Sequence, residues 1–309
     1  MDDFGAIASK LPKFDVRQMR VFLYLADELH FGRAATRLCT SQSAVSSTIH
    51  ALEDAVGIKL LERSTRRVRL TEAGEAFAAE VRLAFSHMHR ASTAAQNAAE
   101  GKRRLRIGYN DFSITGRLPV QLNKFRAANP SISLDLHFMP SSKQRNALLE
   151  GKLDIGLLIG EFNTHTAACR LVEVNDYVAL LPDTHRLARV ESLRLIDLAE
   201  ESFVLGDEEA YSAFRQSIFE LCNNRGFHPR IELIASNTIG IFGMVAAGVG
   251  VSIFGSCGHN LRRAGVTVKT LDDVQEKIPI YASWLTENPS PALSTFRDFL
   301  AAQELPEMD

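Results

Sequence analysis

The spacing of apolar residues over the first hundred positions changes character several times, and each change marks an element. After Asp15, which with Gln18 forms a D-x-x-Q variant of the capping box, Val21, Phe22, Leu25 and Leu29 recur at helical intervals. Ala34, Ala35 and Leu38 then share one helical face, and a short break follows at Cys39-Thr40. Ser41 is placed to cap a further helix with apolar Val45, Ile49, Leu52 and Val56, and Gly57 suits its end. Two helices joined by so short a turn predict a helix-turn-helix, which leaves one face of the second helix to enter a major groove. That face carries Gln42, Ser43, Ser46, Ser47 and His50, polar and nearly uncharged. A basic, hairpin-like run, RSTRRVRLTEAG, comes next. From Thr71 to about Glu100, Phe77, Val81, Ala84, Met88, Ala91, Ala95 and Ala98 keep a heptad seam. A seam on one long helix predicts a dimerisation helix, and Gly101-Lys102-Arg103-Arg104 ends it.

From Leu105 the period shortens. LRIGY, ISLDLHFM and LDIGLLIG read as strands, alternating with helical patterns at Leu118–Ala128 and Lys143–Glu150. This rhythm predicts a parallel sheet with helices on its faces. A second set holds YVALLP, the helix Ala210–Gly226, the strand IELIA, a helix around Ile239–Ala247 and the strand VGVSIF. IPIYASWL and the helix Leu293–Ala302 close the pattern. Two αβ units side by side leave a cleft, and ligands bind where loops follow strand C-termini.

Composition adds limits. The 309 residues allow two or three domains, and 46% hydrophobic with 23% charged residues is ordinary for a soluble globular protein. The start, MDDFGAIASKLPKF, has no run suited to a signal peptide, and no stretch approaches the roughly twenty apolar residues that span a bilayer. A cytoplasmic location and no membrane partner are therefore expected. Cys39, Cys169, Cys222 and Cys257 are widely spaced and match no zinc pattern, so free thiols, no metal and no cofactor are expected. A net charge of −2 disfavours nucleic acid until it is divided along the chain. Between Lys59 and Leu70 the bases Lys59, Arg63, Arg66, Arg67 and Arg69 face one acid, Glu62. The positive field is local, which is what phosphate contact requires.

These residues divide the work on DNA. Gln42, at the start of the second helix, can pair with adenine through both ends of its amide. Ser41, Ser43, Ser46, Ser47 and His50 offer groups for phosphates or base edges. Arg33 and Arg37 on the preceding helix, with Arg63, Arg66 and Arg67 beyond it, are the phosphate candidates. Catalysis is not expected. The Gly-Val-Gly of AAGVGVSIF precedes a strand and lacks a dinucleotide site's third glycine, the histidines show no metal spacing, and no serine sits in G-x-S-x-G. A solute-binding protein is disfavoured by the DNA module.

In order and spacing, FLYLADELHFGRAATRL, SQSAVSSTIHALEDAVGIKLLER, RRVRLTEAG, LRIG, LPVQLNKFRAANPSISLDL, LLEGKLDIGL and VAAGVGVSI resemble the LysR-type transcriptional regulators, from Phe14 to about Ala302. The resemblance implies an α/β chain with an N-terminal all-α winged helix-turn-helix, a long linker helix and two Rossmann-like subdomains of periplasmic-binding-protein type II architecture. It divides the chain into an extension at 1–13, a DNA-binding domain at 14–72, a linker at 73–101 and an effector domain at 102–309. Subdomain I takes about 104–174 and 278–303, and subdomain II about 175–277. Expected partners are double-stranded promoter DNA, a small-molecule effector (an organic acid or aromatic) and further copies in a homodimer or homotetramer, with RNA polymerase as an additional candidate.

The family's effector loops match positions that hold Asn110, Phe112, Ser113, Ser141, Ser142, Gly160, Phe162, Asp207, Asn237 and Thr238. Ser141 keeps the hydroxyl at the second loop, and the helix after Asn237 and Thr238 offers N–H groups to an anion. Three departures matter. Ser43 stands where proline is common, Ser47 replaces a larger polar or basic residue, and Phe112 stands where similar regulators place a serine or threonine. The recognition helix therefore has no Lys or Arg, and grip should come from the arginines beyond it. A redox-sensing member using Cys169, Cys222 or Cys257 is the alternative, weakened by separations of 53 and 35 residues.

Overall fold

A computed structural model describes residues 13–63, 68–100 and 103–303. The expected extension at 1–13 thus lies almost wholly outside the described residues. Contact clustering gives two compact units, 1–90 and 91–309.

In the first unit, α1 (Val16–Glu28) begins at the expected capping box: the Gln18 amide N–H donates to Asp15 Oδ1 (2.7 Å), and the Asp15 N–H donates to Gln18 Oε1 (2.8 Å). α2 (Phe31–Arg37) and α3 (Gln42–Val56) follow, with Cys39 in the left-handed turn between them (φ 51°). Ser41 caps α3 by accepting from the Ala44 N–H, and Gly57 ends it at φ 79°. Val45, Ile49 and Leu52 pack with Phe22, Leu25 and Ala34, so the apolar stripe read from the sequence is the core. β1 (Leu61–Arg63) and β2 (Val68–Leu70) pair antiparallel as the wing.

Two contacts fix that wing. Glu53, on the inner face of α3 and 2% exposed, accepts from the N–H groups of Leu60 (3.0 Å) and Leu61 (3.1 Å) and from Lys59 Nζ (3.0 Å). Behind it, α4 (Glu72–Glu100) starts with Thr71 donating to the Lys59 carbonyl and accepting from Gly74. A Cβ at Gly74 would sit 2.0 Å from the Leu60 carbonyl oxygen, so only glycine lets the helix lie against the strand backbone. The heptad seam of α4 divides. Phe77 packs edge-on against Phe14 and Phe22, and Val81 is buried, whereas Met88, Ala91 and Ala95 are exposed. Ala98 lies outside the residues whose side chains are described.

The second unit holds β3 (Arg103–Tyr109), α5 (Asp111–Thr115), α6 (Leu118–Ala128), β4 (Ile132–Phe138), α7 (Ser141–Leu149), β5 (Ile155–Ile159), β6 (Ala167–Pro182), β7 (Ser202–Gly206), α8 (Glu208–Asn224), β8 (Arg230–Ala235), α9 (Thr238–Ala246), β9 (Ser252–Gly255), β10 (Val266–Thr270), β11 (Lys277–Leu285) and α10 (Pro291–Ala301). The sheet is mixed, not the parallel one expected. β3 runs parallel to β4 and β5, but β11 lies antiparallel to both β5 and β6. The strand expected from Tyr177 begins ten residues earlier, at Ala167 in β6. Residues 167–176 pair with β11, and residues 177–182 pair with β9 and β10. One strand therefore belongs to both lobes. β7 and β8, parallel to each other, join the second lobe through a bridge from Phe203 to Val251. β7 and β10 were also missed; β10 alternates weakly and is half-buried.

Replacing Glu53 with alanine would leave two buried backbone N–H groups unpaired, at a cost of roughly 2–4 kcal/mol. Glu53→Ala should lower the melting temperature of the full chain and weaken promoter binding; an unchanged melting curve would remove this anchor from the account.

Candidate functional site

Two sites follow from these elements. On the first, Gln42, Ser43, Ser47 and His50 are exposed along α3 and Ser46 is half-buried, over a helix whose other side is core. Ser41, proposed as a DNA contact, spends its hydroxyl on the cap and lies 3.0 Å from that of Ser43. Arg33 and Arg37 are not free cations. Arg33 Nε (3.0 Å) and Arg37 Nη1 (2.9 Å) both hold Glu28, and the Arg37 guanidinium also lies over the Tyr24 ring. The bonds from Arg37 and Arg33 keep the Glu28 carboxyl below the ordinary range. Phosphate must compete with that carboxylate for both arginines. Arg63 ends β1, but its side chain, together with Arg66 and Arg67, lies outside the described residues.

The second site is the interlobe cleft. Asn110, 7% exposed, accepts from the Ser113 N–H while Ser113 Oγ accepts from the Asn110 N–H, closing a capping box on α5. Its Nδ2 donates to the Leu157 carbonyl (3.0 Å) and to Ser141 Oγ (3.2 Å), so one amide ties the ends of β3 and β5 to the start of α7. Ser141 Oγ accepts again from the Ile159 N–H (3.0 Å). Both lone pairs of that hydroxyl are taken, and its own proton remains to be given.

Across the cleft, the buried Tyr211 hydroxyl donates to Asp111 Oδ2 (2.5 Å) and lies 3.1 Å from Thr238 Oγ1. Burial, then the Asp111 charge, pushes the Tyr211 pKa far up, so it stays a phenol and a donor. Lys143 on α7 pairs with Glu209 on α8, a second bridge between the lobes. Sequence reasoning missed Asp111, Tyr211, Lys143 and Glu209, since nothing local announces pairs 100 and 66 positions apart.

The remaining expected residues divide by environment. Phe112 is 1% exposed, stacked on Phe254 at 4.6 Å and edge-on to Phe214 at 4.7 Å, in space that Gly255 leaves open. It wedges the lobes together and offers a ligand little surface. Ser113 is equally buried by its cap. Asp207 caps α8, and Asn237 caps α9 by accepting from the Gly240 N–H (2.8 Å), which removes one N–H group that an anion was expected to use. Gly160 makes a left-handed turn (φ 75°), Ser142 is exposed, and Phe162 joins a small cluster with Leu148 and Leu153 beneath the Arg145 guanidinium.

Two family models cover most of the chain: the "LysR substrate binding domain" over residues 98–304 and the "Bacterial regulatory helix-turn-helix protein, lysR family" over 16–75. The regulator AlsR of Bacillus subtilis (strain 168) is 31% identical over 283 residues, 91% of this chain and 94% of its own. The chain belongs to the LysR family of transcriptional regulators. Its fold matches crystalline CbnR, a LysR-family regulator, with a TM-score of 0.61 over 94% of this chain and 100% of that one at 23% identity. The BenM effector-binding domain with its effector benzoate matches over 64% of this chain and 90% of that one (TM-score 0.58, 21% identity). Like them, this LysR-family chain joins a helix-turn-helix to an effector domain of two αβ lobes. No helix among the described residues is long and apolar enough to cross a membrane, and no metal-holding group of His, Cys, Asp or Glu gathers there.

Burial works against thiolate chemistry in this LysR-family member. It pushes the Cys222 thiol up to about 12 and raises Cys257 further, while half-buried Cys169 also moves up.

Tyr211→Phe keeps the ring and removes the hydrogen bond from α8 to Asp111. The expected loss is about 1–2 kcal/mol, read as a lower urea midpoint for the effector-domain transition of the full chain; an unmoved midpoint would show that this bond does not hold the lobes together.

Proposed function

We propose that this LysR-type regulator senses a small organic acid or aromatic molecule between its two lobes and converts its presence into altered promoter affinity or DNA bending. The observation that carries the reading is the pairing of an unspent Ser141 proton on one lobe with the Tyr211–Thr238 hydroxyls on the other. A ligand oxygen that takes the Ser141 proton lies beside the bond joining Tyr211 to Asp111, so binding and lobe angle are coupled. The benzoate bound by the related BenM domain supports this class of effector. Such a ligand is bound and released without chemistry, and no cofactor takes part.

On DNA, Gln42 reads a base edge, with Ser43, Ser46, Ser47 and His50 beside it, while Arg63, Arg66 and Arg67 of the wing segment supply phosphate contacts. The exposed Met88, Ala91 and Ala95 of α4 pair two copies, and two such dimers form the homotetramer. RNA polymerase is a further partner, and the protein works in the cytoplasm. The raised thiol pKa values favour this effector reading over a redox signal.

A thermal-shift screen of the full chain with small carboxylates and aromatic acids should give one compound that raises the melting temperature; Ser141→Ala should abolish that rise, and its persistence would move the effector elsewhere. On a panel of operator variants, Arg66→Ala should weaken all of them and flatten the salt dependence, whereas Gln42→Ala should blur preference at one base pair. Uniform loss with both would end this division of labour. A variant lacking all four cysteines should regulate normally; loss of its response to the effector would revive the redox reading.

A further inference from the structure

Behind the cleft lies a separate open cavity of about 430 Å³, where the start of α6, the crossing part of β6 and residues 256–260 of the second lobe meet. Its walls carry charges of both signs. Glu173, 7% exposed, accepts from the Arg117 N–H (2.8 Å) and from Asn175 Nδ2 (3.1 Å), and a Cβ at Gly116 would overlap its carboxylate. Burial raises the Glu173 pKa, offset in part by the bonds from the Arg117 N–H and Asn175 and by the Arg117 charge. Arg117 and Lys124 are exposed on the rim, and no salt bridge holds either of them among the described residues. Gln121, also 7% exposed, lines the same cavity, and no hydrogen bond among the described residues uses its side-chain amide. The Gln121 amide reaches the cavity and offers an occupant both a donor and an acceptor.

We infer that this cavity is a second ligand site, distinct from the cleft, built for a small zwitterion such as a free amino acid. The chemistry follows from the two signs. A simple anion would meet the Glu173 carboxylate, and a simple cation would have to pass Arg117 and Lys124. A molecule with both groups places its ammonium at Glu173 and its carboxylate at the two bases, with the Gln121 amide bonded to either. Its position also gives it leverage. α5 starts at the cleft with Asp111 and ends at this cavity with Thr115, whose carbonyl accepts from Asn260 of the other lobe (2.8 Å). An occupant touching both α6 and residues 256–260 braces the lobes at the hinge, so it biases the angle that the cleft effector also sets.

The full-length protein is titrated calorimetrically with glycine, L-serine, L-glutamine and γ-aminobutyrate, and with propylamine and propionate as single-charge controls. At least one zwitterion should bind saturably, and both controls should bind at least tenfold more weakly. Lys124→Ala, an exposed change that leaves the core intact, and Gln121→Leu should each weaken the zwitterion about tenfold, the loss of one charge-assisted bond. The inference is overturned if none of the four zwitterions gives saturable heat, if either control binds as tightly, or if both variants bind unchanged.

Discussion

Everything the effector domain can do is constrained by β6, which gives its first ten residues to one lobe and its last six to the other. β6 bonds along its first part to β11, with a register shift near Val172, and along its last part to β9 and β10, so the two lobes share one strand that crosses near Asp176 and Tyr177, with residues 271–276 as the return crossing. At the far side, among the described residues, side-chain bonds join the lobes from Tyr211 to Asp111 and from Lys143 to Glu209. The Lys143–Glu209 pair is exposed and contributes little. The buried phenol is the stronger, because neither water nor ionisation competes with it easily.

The DNA-binding unit is organised by a comparable economy. Its recognition helix carries no Lys or Arg, and the buried acid on its inner face, Glu53, is spent on the backbone of the wing. The wing is therefore held against α3 by a carboxylate and against α4 by a glycine contact. Arg33 and Arg37, which look like spare charge in the sequence, share Glu28, whose single negative charge offsets one of their two positive charges. Affinity without cations on the recognition helix is consistent with this arrangement, since phosphate contact is sequence-blind and can come from any neighbouring rigid element.

What the sequence disclosed and what it hid follow from the range of the interactions. The capping box at Asp15 and Gln18, the Ser41 cap and the Val45–Ile49–Leu52 stripe depend on residues three or four apart, and all were legible. The strand Leu105–Tyr109 and the helix Leu118–Ala128 were legible for the same reason. β6 was half-read because residues 167–176 lie against β11 with mixed burial on both faces, which erases any simple alternation. The parallel expectation failed because β11 returns from the second lobe to fill the edge beside β5, a connection no local pattern records. In the cleft, Asn110 and Ser141 were legible as loop residues, but that one amide holds the other hydroxyl was not. Phe112 could be read only as a departure; its burial between Phe214 and Phe254 required the fold.

Phe112 also explains how the cleft and the hinge communicate. It sits on a helix of five residues, between Asp111, which meets Tyr211 across the cleft, and Thr115, which meets Asn260 at the hinge cavity. A short helix with a buried aromatic ring at its centre moves as one piece or not at all, because the ring has no empty volume to shift into. The contact at Tyr211 and the contact at Asn260 are therefore made by the two ends of one short, packed helix. A small polar side chain at position 112 would leave that space unfilled and uncouple the two ends. The bulky ring that stands where similar regulators place a serine or threonine is thus a packing residue between the lobes, stacked on Phe254 and edge-on to Phe214.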